Sequence, residues 1–301
     1  MTLASATTTQ IKTICLPLGP YRNLTTMTAG LLSLHPRCQV LNHAGQKLLG
    51  DPATNFLNGP TNEKVHAFLA AALDLARGGQ RGQEGGSITK SHAFDPQHPM
   101  GRLYRERFGD SLDKPGAEAL FWKESLHASN FLRGNSIDVP GLLAAEARLQ
   151  FLVPIRNPLD CAYSNIATSH TRFFADLAPE AGILQVTEAV LDLLLWSTQQ
   201  ALQCPERFLL LFEHQMGRST LSQLAEFLGL EPEEQWLDDA TEACQLKPGY
   251  CHEPALVDAY VEMVKRKFAD FPPLQAGLLH FANRSPMPGP EPQSGARLRS
   301  C

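Results

Sequence analysis

Short apolar runs alternate along the chain with longer stretches in which apolar residues recur at helical spacing. "IKTICLPL" (residues 11–18) reads as a strand and "TMTAGLLSLH" (26–35) as the helix after it. "RCQVLNHA" (37–44) is a second short strand, and "NEKVHAFLAAALDLA" (62–76) carries the helical period. "EALFWKES" (118–125) and "RLQFLVPIRNP" (148–158) read as buried strands, the second because its apolar run is continuous. "NPLDCAYSNIATSHTRFF" (157–174) continues as a helix, since Pro158 suits a first turn and no breaker follows. "VTEAVLDLLLWSTQQALQ" (186–203) shows the clearest helical period. "RFLLLFEH" (207–214) is a further buried strand, and "STLSQLAEFLGL" (219–230) is a helix with Ser219 or Thr220 as its cap and Gly229 as its stop. Two stretches break the pattern. "RGGQRGQEGGSITKSH" (77–92) has the composition of a mobile loop, and "SPMPGPEPQSGARLRSC" (285–301) that of a disordered tail.

Strand alternating with helix predicts an α/β fold: a parallel sheet flanked by helices, formed as one domain by residues 1–284. In such sheets ligands bind beyond the carboxyl ends of the strands. The residues just past each apolar run are therefore the ones to inspect, and they are polar: Arg22 to Thr26, His43, Lys123 to Ser125, Arg156 to Ser164, Glu213 and His214.

Composition narrows the chemistry. The 301 residues are 43% apolar, ample for a core, and carry a formal charge of -5, so no global basic field recruits nucleic acid or an anionic membrane. Any anion site must be local. Seven cysteines form no CxxC pair and several sit inside apolar runs, which implies a reducing, cytoplasmic setting. No window reaches the roughly 18 apolar residues of a membrane span, and the N-terminus lacks a basic leader ahead of a long apolar stretch. The ten histidines lie scattered, without the close pairs of a zinc site, so no metal is expected.

The segment "PYRNLTT" (20–26) places Arg22, Thr25 and Thr26 where a strand hands over to a helix. Backbone N–H groups lie unpaired there and the helix dipole is positive, which suits a phosphate or sulfate. A plain helix cap explains the same residues. A nucleotide triphosphate loop does not, because the Gly-Lys-Ser/Thr ending is missing. The second element, "IRNPLDCAYS" (155–164), sets Arg156 at a strand end and Ser164 two helical turns on.

Taken together, these segments resemble the sulfotransferases that use 3′-phosphoadenosine 5′-phosphosulfate. In that family a strand, a Pro-Lys/Arg-Ser-Gly-Thr-Thr loop and a helix bind the 5′-phosphosulfate, and Arg-(Asn/Asp)-Pro-x-Asp-x-x-x-Ser after a later strand binds the 3′-phosphate. "PYRNLTT" is similar to the first, and "RNPLDCAYS" matches the second almost fully. "FEHQMGRSTLSQLAEFLGLEP" is similar to a third family segment, so the resemblance covers roughly residues 11 to 235. It implies a P-loop-like sulfotransferase fold and transfer of a sulfuryl group from that nucleotide to a hydroxyl or amine acceptor. It also implies a donor site in which Arg22, Asn23, Leu24, Thr25 and Thr26 hold the 5′ end, and Arg156 with Ser164 the 3′-phosphate.

The acceptor must lose a proton, and three residues are candidate bases. His43 falls where the protein-tyrosine branch has its catalytic glutamate, and an imidazole titrates near neutrality. His92 sits in "TKSHAF", similar to the Lys-x-His of the cytosolic branch, and Glu124 ends a strand where burial would raise its pKa. Lys123 is similar to the lysine that meets the bridging oxygen of the leaving group, where negative charge builds. Asn23 and Leu24 replace the family's Ser-Gly, and the C-terminal Arg-Lys-Gly-x-x-Gly motif is absent. A side chain at the glycine position crowds the phosphates or forbids a positive φ, so the alternative is a binding protein of this fold with a degraded donor loop and no turnover.

Overall fold

The computed structural model describes residues 8–79, 84–246 and 249–283, and in it each expected apolar run forms a strand. β1 (Thr13–Pro17), β2 (Cys38–Asn42), β4 (Ala119–Lys123), β5 (Leu149–Ile155) and β6 (Phe208–Phe212) join a two-residue strand, β3 (Gly86–Ser87), in one sheet. The order is β3-β2-β4-β1-β5-β6. All pairs are parallel except β2 with β3, which are antiparallel. β1 is central, with Cys15 opposite Phe121 on one side and Gln150 on the other.

Helices cover both faces, which is why the strands read as continuous apolar runs and not as alternating ones. The described helices are α1 (Thr25–Ser33), α2 (Gly45–Gly50), α3 (Asn62–Ala76), α4 (Pro99–Phe108), α5 (Ser125–Gly134), α6 (Val139–Ala145), α7 (Pro158–Ala167), α8 (Ile183–Gln203), α9 (Arg218–Phe227), α10 (Glu234–Ala243), α11 (Pro254–Lys267) and α12 (Pro272–His280). Side chains of successive strand residues point to opposite faces, and two cores follow from that alternation. Leu16, Trp122 and Phe151 pack with Phe68 of α3, Leu194 of α8 and Tyr260 of α11. Cys15, Phe121 and Leu152 pack with Leu31 of α1, Tyr104 of α4, Leu224 of α9 and Trp236 of α10.

Several expectations are corrected. The Gly-rich stretch 77–92 is not all loop: part of it pairs with β2 as the antiparallel edge strand β3 of the otherwise parallel sheet, while residues 80–83 lie outside the described residues. The strand expected to reach Ala44 ends at Asn42, because His43 (φ 62°) and Ala44 (φ 75°) both turn into the left-handed region. The helix expected over 157–174 stops at Ala167. There the Thr168 hydroxyl donates to Ser164 O at 2.6 Å and Ser169 adopts φ 54°, a left-handed residue that ends a helix as a glycine would. Helix α9 is preceded by Gly217, not capped by Ser219 or Thr220, and the Thr220 hydroxyl instead donates to Gln215 O. Gly229, at φ 70°, does follow its end. The tail from Ser285 lies outside the described residues.

Candidate active site

β1, β2, β4 and β5 all end on the same edge, and four polar exits meet there. The β1 exit is the most contorted. Arg22 (φ 63°) and Leu24 (φ 62°) are both left-handed, a conformation that costs a side-chain-bearing residue about 1–2 kcal/mol. Leu24 occupies the N-cap position of α1 and offers no side-chain cap, so the first turn of that helix presents its backbone N–H groups to whatever lies in front. Thr25 is buried and Thr26 half-buried in that turn.

Contacts with the β5 exit offset the strain. Asn23, 1% exposed, accepts the Arg156 N–H at its Oδ1 (2.8 Å) and donates from Nδ2 to Pro154 O. Tyr21 O accepts from Asn165 Nδ2 at 2.8 Å and lies 3.3 Å from Cys161 Sγ. Arg22 Nε donates to Ser164 Oγ at 2.8 Å, and Arg156 Nη1 lies 3.4 Å from Arg22 O. The residues expected at the two ends of one nucleotide therefore adjoin. Asn23 differs from its neighbours: its side-chain amide is turned into the protein as a clamp between the two loops.

Acidic groups hold Arg156 in turn. Its guanidinium lies 3.7 Å from Glu213 Oε1 and 4.0 Å from Asp160 Oδ2. Glu213 also accepts the Asn157 N–H at 3.1 Å, while the Asn157 side chain caps α7 by accepting from Leu159 N. Asp160 Oδ1 accepts from Tyr250 N (3.1 Å) and meets His252 Nε2 at 2.7 Å, which fastens the 249–252 segment onto α7.

The β2 and β4 exits supply the third group. Trp122 is fully buried, and its indole N–H donates to His43 O at 2.6 Å, so the sheet core fixes the turn after β2. His43 Nε2 lies 3.1 Å from Lys123 Nζ, and His43 Nδ1 lies 3.8 Å from Glu124 Oε2. Glu124 also accepts the Gly45 N–H at 3.0 Å and the Tyr21 hydroxyl at 3.3 Å. Lys123 is 7% exposed. Its burial, with Arg22 nearby and against the pull of Glu124, pushes the ammonium down to about 8. For Glu124, burial works upward, but the nearby His43, with His127 and Lys123, outweighs it and holds the carboxyl below its ordinary value. The raised pKa expected of Glu124 as a base is thus reversed, and it serves as an acceptor for Gly45 and Tyr21.

His92 is exposed on a single 3₁₀ turn (His92–Phe94) whose Ala93 packs beside Gly30, in the second turn of α1. Tyr21, Asn165 and His170 also lie at this edge and were not singled out by their sequence. Tyr21 lies inside the quoted loop, but nothing in the spacing says that it reaches Glu124. His170 was hidden by the helix expected to run through it. Among the described residues no group of three His, Cys, Asp or Glu side chains is placed to hold a metal ion, and no helix is long and apolar enough to cross a membrane.

No protein-family model and no curated protein matches the sequence. Among solved structures, the chain is similar to the sulfotransferase STF9 of Mycobacterium avium, at 14% identity over 88% of this chain and 76% of that one, with a TM-score of 0.44. It is also similar to a sulfotransferase of Alicyclobacillus acidocaldarius, at 15% identity over 90% and 96% of the two chains, with a TM-score of 0.42. A third is the sulfotransferase domain of the Synechococcus PCC 7002 olefin synthase, at 14% identity over 90% and 92% and a TM-score of 0.37. At such identities and scores the likeness decides nothing about the chemistry of this chain.

Proposed function

We propose that this protein is a sulfotransferase that takes a sulfuryl group from 3′-phosphoadenosine 5′-phosphosulfate and passes it to a hydroxyl or amine acceptor. The observation that carries this reading is the meeting of two strand exits, with Arg22 Nε 2.8 Å from Ser164 Oγ and Arg156 Nη1 3.4 Å from Arg22 O. One compact edge thus gathers two guanidiniums, a buried ammonium and an uncapped helix start, a set that suits a ligand with anionic groups at both ends.

The residues fit such a donor. Lys123 is a cation held in a dry place, its proton loosened by burial and by Arg22, so an arriving anion would be met by a strong, unscreened charge. The donor supplies the activated sulfuryl group. Arg22, Lys123 and the first-turn N–H groups of α1 would bind its 5′ end and neutralise the charge that builds there as the S–O bond lengthens. Arg156 and Ser164 would bind the 3′-phosphate, with Asp160 and Glu213 orienting Arg156. His43 Nε2 sets the resting position of the Lys123 ammonium. Catalysis on this reading is positioning and charge neutralisation, as for phosphoryl transfer.

The rival reading, a binding protein of this fold with a degraded donor loop and no turnover, draws on the leucine at the family's glycine position. Leu24 takes the left-handed backbone that a glycine would, so loop shape is no ground for it. Calorimetric titration with 3′,5′-adenosine bisphosphate tests the donor site. Binding with a rise in Tm is expected, and a flat titration with no change in Tm would count decisively against the proposal.

A further inference from the structure

The turn after α7 brings a second histidine to the same edge. Ser169, at φ 54°, redirects the chain into a 3₁₀ turn (His170–Phe173), and Asn130 of α5 holds that turn by donating to Phe173 O at 2.8 Å. The His170 ring packs edge-on against Tyr21, with centroids 5.6 Å apart, and against Phe173 at 5.9 Å. Tyr21 is the residue that bridges to Glu124, so His170 stands over the loop between β1 and α1.

Hydrogen-bond accounting determines which ring nitrogen is bare. The Thr168 hydroxyl has one hydrogen and gives it to Ser164 O at 2.6 Å. His170 Nδ1 lies within bonding reach of the same oxygen, which can then only accept, so Nδ1 carries the ring hydrogen and Nε2 keeps its lone pair. His43 is differently placed, because the Lys123 ammonium lies against its Nε2. The groups that act on His170 are Arg22 from the first loop, His43 and Lys123 from the β2 and β4 exits, and Arg172 from its own turn. Its burial comes first, and these positive charges add to it, pushing His170 below the ordinary imidazole value.

We propose that His170 Nε2 is the group that accepts the acceptor's proton at this site, and that His43 is a positioning residue for Lys123. This assignment rests on the sulfotransferase reading above. In the step, the acceptor oxygen forms a bond to sulfur while the bond from sulfur to the bridging oxygen breaks. The electron pair leaves on the 5′-phosphate of 3′,5′-adenosine bisphosphate, and the acceptor's proton moves to His170 Nε2.

The test compares the parent with His170→Asn, whose amide can still donate to Thr168, and with His43→Gln. Bisphosphate affinity is read by calorimetry. Turnover is read as bisphosphate released from the phosphosulfate donor with 2-naphthol, 1-hexanol or water as acceptor. His170→Asn should bind the bisphosphate within about threefold of the parent but lose on the order of 10²-fold or more in kcat, in the range typical of a lost general base. The acid limb of the parent's pH profile should lie below about 6.5 and vanish in the variant, and added imidazole should restore part of the rate. His43→Gln should chiefly raise the donor KM. Turnover of His170→Asn within about threefold of the parent, or an unchanged acid limb, overturns the assignment. So does a parent that binds the bisphosphate and turns over none of the three acceptors. A parent that fails to bind the bisphosphate sinks the sulfotransferase reading itself.

Discussion

Raising the pH above neutrality titrates Lys123 ahead of an ordinary lysine, and folding stability and anion binding should then move in opposite directions. The folded ammonium titrates at about 8 and the unfolded one at 10.5. Below pH 8 both states are protonated and Lys123 contributes no pH dependence. Between 8 and 10.5 the unfolded chain holds a proton that the folded chain has released, so stability rises with pH. The full shift is worth about 3 kcal/mol, at about 1.4 kcal/mol per pKa unit. Over the same window the site loses its buried positive charge, and affinity for 3′,5′-adenosine bisphosphate should weaken by up to about tenfold per pH unit. Urea unfolding of the parent and of Lys123→Met from pH 7.5 to 10 isolates the effect. Lys114, also buried and pushed down to about 7, contributes the same slope to both proteins and cancels in the difference. The variant should lack the parent's extra rise and bind the bisphosphate at least about tenfold more weakly at pH 7.5, as expected for a lost charge-assisted contact. Parallel stability curves for the two proteins would refute the assignment of a strained ammonium to this position.

Asn23→Ala should cost about 2–4 kcal/mol in urea unfolding, because it strips the partners from Pro154 O and the Arg156 N–H at once, and bisphosphate affinity should fall with it. Unchanged stability would mean that the clamp does not hold the two loops. Leu24→Gly relieves a left-handed side-chain residue but adds freedom to the unfolded chain, for a net gain of up to about 1 kcal/mol by the same measurement. Its bisphosphate affinity should stay within about threefold of the parent, and a tenfold gain would show that the leucine obstructs the site.

The parts of the molecule readable from sequence are those governed by local pattern. β5 is a continuous apolar run because both of its faces are covered, and the polar residues that follow β1, β2, β4 and β5 mark one edge of the sheet. What escaped is set by neighbours distant in the chain. A two-residue strand such as β3 has no periodicity to detect and exists only through its pairing with Leu41 and Asn42. Asn23 reads as one more polar loop residue, and only the proximity of Pro154 and Arg156 turns its amide inward. The direction of the Glu124 shift depends on His43 and His127, whose approach no spacing announces. Helix α11 buries only Tyr260 and Val264 among many polar residues, so its apolar stripe is thin. α12 comes close to β6 only because Gly277 has no side chain to strike the Phe212 ring.

The Arg22 loop and the Ser164 helix are bonded directly to each other, which constrains how such a site can change. Neither half is an independent module. A loop transplanted from a relative without its opposite number would arrive with Asn23 and Arg22 facing strangers, so substitutions on one side select for answering substitutions on the other. In this chain that mutual dependence means that a change in either segment is felt by the other.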